Sequence, residues 1–131
     1  MNKINTMKYL AINFKYKGKS LLETDCYGLC KIIAQERKIK LPNVNYKEYH
    51  MRQTHFLIQR HCENTKLWNK VKPKIDTIVA FRLDEVISHV GYMINETEFI
   101  HIRKNVGVRV DNINDPLWQL QIVGYYEYIG N

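Results

Sequence analysis

Thr24-Asp25-Cys26-Tyr27-Gly28-Leu29-Cys30 is the stretch from which the fold can be read. Asp25 is a residue type that caps helices, because its carboxylate can accept a backbone N–H two or three residues further on. Behind it Leu29, Ile32 and Ile33 form an apolar set, and Arg37 and Lys38 close the last turn, where positive charge suits the helix dipole. The spacing predicts a helix from about Cys26 to Lys38, ended ahead of Leu41-Pro42 because proline disfavours a helical residue before it. Cys26 then lies at a helix N-terminus, where unpaired N–H groups stabilise a thiolate and lower its pKa below the free value of about 8.5. That makes it a candidate nucleophile. A free cysteine is also a small core hydrophobe, and this is how Cys30, one turn further along, is read.

Working outward, Met7 to Phe14 is apolar enough to pack, and Tyr16-Lys17-Gly18-Lys19-Ser20 reads as a turn. From Asn43 to Lys72 the chain is polar, with Tyr46, Tyr49, Phe56, Ile58, Leu67, Trp68 and Val71 at loosely helical spacing, which predicts one or two amphipathic helices broken near Glu63-Asn64-Thr65. After Pro73 the period changes to two and β-branched residues dominate. Strands are expected at Thr77 to Leu83, Ser88 to Ile94, Glu98 to Arg103, Val106 to Asp111 and Gln121 to Tyr128. A helical N-terminal half followed by about five strands points to one α+β domain over residues 1–131, its first helix packed on an antiparallel sheet.

Composition bounds the function. The chain has 131 residues, enough for a core without disulfide or metal staples, and 45% hydrophobic with 25% charged residues is ordinary for a soluble domain. Its formal charge of +7 favours anionic partners. The basic residues are spread from Lys3 to Arg109, without a zinc-finger, Gly-rich phosphate or RNP-type signature, so neither a cofactor nor specific nucleic acid is expected. Three cysteines, Cys26, Cys30 and Cys62, lack framework spacing and read as thiols. His50, His55 and His61 are five and six residues apart, off any single helical face, which argues against a metal site with Cys62. No apolar run reaches signal-peptide or membrane-spanning length, so a cytoplasmically made chain with no cleaved leader and no membrane span is expected.

A nucleophilic cysteine needs a base and a third group that orients the base. His89 and His101 lie on the two arms of a hairpin predicted around Asn95-Glu96-Thr97. A three-residue loop would put both on one face, and a four-residue loop would split them. On one face, and facing the helix that carries Cys26, they would complete a Cys-His-His triad. In the alternative they are partly exposed pairing residues.

Four motifs in order, Asp25-Cys26-Tyr27-Gly28-Leu29, Asp76-Thr77-Ile78-Val79-Ala80-Phe81, Ser88-His89-Val90-Gly91-Tyr92 and Phe99-Ile100-His101, resemble the NlpC-type cysteine peptidases. The likeness is nearest to the short versions carried by tailed phages, and extends to Leu117-Trp118 and Val123-Gly124-Tyr125-Tyr126. The resemblance implies a papain-like α+β fold and cleavage of peptidoglycan stem peptides, with Cys26 as nucleophile, His89 as base and His101 as third residue. It also implies a tyrosine near the oxyanion or substrate, for which Tyr16 is the candidate, and it makes peptidoglycan and phage tail proteins the expected partners. Ile75 stands where the family usually has Gly, which implies a different turn there. Two further readings use the same fold: a non-catalytic tail assembly protein, and an amidase or acyltransferase.

Overall fold

The computed structural model describes residues 3–15, 23–43, 63–83 and 86–130. A 3-10 turn at Met7–Tyr9 leads to a short parallel pair, β1 (Asn13–Phe14) with β2 (Glu23–Thr24), and then to α1 (Cys26–Glu36). The remaining elements are β3 (Trp68–Val71), β4 (Ile78–Leu83), β5 (Val86–Met93), β6 (Glu98–Arg103), β7 (Gly107–Asn112), α2 (Pro116–Gln119) and β8 (Ile122–Tyr128). The six longer strands form one antiparallel sheet in the order β3-β8-β4-β5-β6-β7.

The start of α1 follows the sequence: Asp25 is extended and its carboxylate accepts from the Gly28 N–H at 2.7 Å. Its end comes earlier than expected. Arg37 is the C-cap, its N–H shared between the carbonyls of Ile33 and Ala34 while the Lys38 N–H donates to Gln35 O, and Lys38 turns to φ 63°, which ends the helix before Leu41-Pro42 is reached. Leu29, Cys30, Ile33 and Ala34 are fully buried, and α1 rests on β5 and β6. Burial of side chains such as Leu29 and Ile33 contributes about 1.5–3 kcal/mol each.

The sheet separates two cores by residue parity. Even-numbered Ile78, Ala80, Val90, Tyr92, Ile100 and Ile102 pack with Tyr27, Leu29 and Ile33 on the helix side. Odd-numbered Val79, Phe81, Met93 and Phe99 form a second cluster with Ile113, against which Trp118 packs. Strand β4 is covered on both faces, which is why Ile78-Val79-Ala80-Phe81 reads as a continuous apolar run and not as an alternation.

The expected five strands are all present, within two residues at either end, and a sixth joins them. Trp68–Val71 was expected in a helix and is instead the strand beside β8. Pairing opposite Tyr128, with the Trp68 and Tyr128 rings 5.3 Å apart, overrides the loosely helical spacing of Leu67, Trp68 and Val71. Residues 63–67 of that expected helical segment form a turn, and residues 44–62, with His50, His55, His61 and Cys62 among them, lie outside the described residues, as does Tyr16. Before β4, Asp76 takes φ 68° and is held by a two-point ion pair from Arg37 (2.8 Å each) and by the Tyr92 hydroxyl (2.8 Å).

Candidate active site

The β5–β6 hairpin settles the question of the histidines' faces. Tyr92 pairs with Ile100 and Met93 with Phe99, and the Ile94 N–H donates to Glu98 O at 3.0 Å, leaving Asn95-Glu96-Thr97 as a three-residue loop. His89 and His101 therefore share a face. Directly opposite His101 stands Gly91, where a Cβ would come within 3.0 Å of Phe99, 3.2 Å of Val79 and 3.3 Å of the His101 Cβ. The missing side chain gives the His101 ring room to lean along the strand toward His89. His89 Nε2 and His101 Nδ1 are 2.8 Å apart, and His101 Nε2 continues to Asp111 Oδ2 at 2.7 Å. Both imidazoles are buried against Phe81, and His101 also meets Phe99 and the edge of Trp118 (ring centroids 4.7 and 5.0 Å).

One expectation is corrected here. The histidines do not stand on the face that packs against the body of α1; being odd-numbered, they belong to the second core. Cys26 packs with the helix-side core and meets β5 where the β5–β6 ladder ends. On β5 the even-numbered N–H groups point toward β6, as the Ile94 bond shows, but among the described residues the β5–β6 ladder stops at Tyr92 and Ile100. The Val90 N–H is thereby released from the ladder, and it is turned to the sulfur of Cys26. The half-buried Cys26 thus comes from the helix side to the strand residue next to His89. With Nε2 of His89 engaged by His101, Nδ1 is the ring nitrogen left for a thiol.

The second correction concerns the thiol's acidity. Burial pushes Cys26 up to about 12, and the Asp25 carboxylate beside it works in the same direction. The N–H groups of Val90, Tyr27 and Cys26 pull the other way, as a helix N-terminus should, but do not outweigh the loss of water. Burial likewise pulls His89 down to about 3, helped by His101 and Arg103. His101 is lowered by burial and by Arg103 and Arg109, against the raising effect of its bond to Asp111. The resting pair is a neutral thiol and a neutral imidazole. Passing the proton from one to the other creates both charges together, and their attraction offsets part of the burial cost. Such a pair suits general-base transfer coupled to attack.

Asp111 is a site residue that spacing along the chain does not mark. On β7 it is odd-numbered, so it lies on the His101 face once the register His101 opposite Arg109 is known. Cys30 is core, as expected. Among the described residues there is no cluster of metal-ligating side chains and no helix long and apolar enough to cross a membrane.

A helix whose first residue is a cysteine, laid against an antiparallel sheet with a histidine pair on adjacent strands, belongs to the papain-like α+β class. The chain is a member of the NlpC/P60 family, whose model matches residues 11–127. Among solved structures, a lipoprotein-like NLP/P60 family protein from Staphylococcus aureus is similar over 96% of this chain and 39% of its own, with 17% identity and a TM-score of 0.66. An NlpC/P60 family protein from Bacillus cereus is similar over 92% and 36%, with 19% identity and a TM-score of 0.62. The chain spans under two-fifths of the length of either, and the likeness speaks to the fold. Curated proteins yield no match.

Proposed function

We propose that this protein is a cysteine endopeptidase that hydrolyses amide bonds in peptidoglycan stem peptides. The observation that supports this most is the contact of His89 Nε2 with His101 Nδ1 at 2.8 Å, beside the Val90 N–H that Cys26 meets. In this reading Cys26 attacks the carbonyl carbon while His89 Nδ1 takes the thiol proton. The tetrahedral oxyanion is stabilised by the Cys26 backbone N–H, a donor of a kind worth about 3 kcal/mol. His89 returns the proton to the leaving amine, a thioester forms, and a water activated by the same nitrogen hydrolyses it. His101 orients His89 throughout. Tyr16 is the proposed tyrosine of the oxyanion or substrate site.

The charge of +7 would draw the protein to an anionic wall. We place it, on the likeness of its motifs to short phage versions, as a tail-borne or lytic enzyme made in the cytoplasm and delivered to the wall, with tail proteins as partners. The buried three-group line argues for catalysis over a purely structural tail role, since a scaffold needs no histidine pair held out of water. Cys26→Ala should abolish cleavage of purified muropeptides while leaving the far-UV circular dichroism unchanged; full activity in that variant would sink the proposal. Cleavage of acyl-amide substrates in place of muropeptides would favour an amidase or acyltransferase.

A further inference from the structure

We infer that Asp111 is a positioning residue of this site, whose carboxylate sets the tautomers of both histidines and thereby makes His89 Nδ1 a base. The inference rests on the proposed roles of Cys26 and His89.

A carboxylate has only acceptor sites, so His101 Nε2, 2.7 Å from Asp111 Oδ2, must carry the hydrogen. A neutral imidazole has one N–H, which leaves a lone pair on His101 Nδ1. That lone pair accepts at 2.8 Å, so His89 Nε2 is the donor there, and the lone pair of His89 falls on Nδ1. Both rings are thus Nε2–H tautomers. Reversing the outermost bond would reverse each one inside it and leave a hydrogen on the nitrogen that Cys26 needs as an acceptor.

Charge works in the same direction. When the thiol proton moves, the S–H bond breaks and an N–H bond forms at His89 Nδ1, leaving a thiolate and an imidazolium. Of the charged groups acting on His101, Arg103 on its own strand and Arg109 opposite it on β7 disfavour positive charge, and Asp111 favours it. On His89, from β5, burial, His101 and Arg103 all act against a positive charge. Asp111 is the counter-charge that lets the histidine pair hold a proton. Its placement on β7 repeats that of His101: each lies two residues from the position directly opposite its partner.

The test is two-bond ¹H–¹⁵N spectroscopy of the histidine rings at pH 7, with the rate of Cys26 alkylation by iodoacetamide as a second reading. The wild type should show both His89 and His101 as Nε2–H tautomers. Asp111→Ala should introduce the Nδ1–H tautomer of His101 and slow alkylation by about 10- to 100-fold, the scale seen when the outer partner of a metal-bound histidine is removed. Asp111→Asn keeps the volume and removes the charge, and with an unchanged far-UV spectrum it should also slow alkylation. An Nδ1–H ring in the wild type, or unaltered tautomers and alkylation in both variants, would overturn the role of Asp111. Neither reading uses a peptide substrate, so a failure to cleave muropeptides would count against the substrate and leave this inference intact.

Discussion

His89 is held inside the protein as a neutral ring, and mild acid should therefore weaken the fold. The folded ring titrates near 3 against an ordinary 6.5, and His101 is shifted the same way. Between those values the unfolded chain binds a proton that the folded chain refuses. The contribution to stability is thus complete above about pH 6.5 and is lost as pH falls below it. Each unit of descent costs about 1.4 kcal/mol per histidine, so reaching pH 5 removes about 2 kcal/mol through His89. His101 adds less than that, because Asp111 favours its protonated form. A domain of this size has about 5–15 kcal/mol to lose. The window from pH 7 to pH 5 is chosen because ordinary carboxylates, with values of about 4, hardly titrate in it. Urea denaturation followed by circular dichroism at pH 7, 6 and 5 should give a steady fall in stability, corresponding to the uptake of between one and two protons on unfolding. In His89→Gln the slope should be shallower by about one proton. A flat wild-type profile, or the same slope in both proteins, would refute the claim that His89 is buried uncharged.

Gly91→Ala should destabilise by about 1–3 kcal/mol, the usual cost of overpacking, since its Cβ would sit 3.0 Å from the fully buried Phe99; a urea melt checks it, with a displaced His101 resonance in the same variant. Asp76→Ala removes the two Arg37 bonds and the Tyr92 bond and leaves alanine at φ 68°, for an expected loss of about 3 kcal/mol by thermal or urea unfolding. Asp25→Ala should cost about 1 kcal/mol for the lost helix cap, yet speed Cys26 alkylation at a given pH, because taking a negative charge from beside the thiol lowers its pKa. Slower alkylation there, in a protein that remains folded, would count against the electrostatic account of Cys26.

Local rules wrote much of this protein into its sequence. Asp25 ahead of an apolar helical stripe fixed where α1 begins, and period-two runs after Pro73 marked β4 to β8, because capping and alternation depend on residues a few positions apart. The pairing of His89 with His101 was legible only as a choice between two loop lengths, which sequence left open. Contacts between distant segments were decided by the tertiary structure. Trp68–Val71 became a strand because β8 offered it an edge. The histidines face away from the body of α1, and Cys26 meets β5 at the Val90 N–H, where the β5–β6 ladder has ended. The helix terminus alone argued for an acidic thiol, whereas burial, which no local pattern reports, raised it. Asp111 joined the site through a strand register that spacing along the chain does not specify. The physical division lies there: capping and periodicity are set by neighbours in sequence, while register, burial and electrostatics are set by neighbours in space.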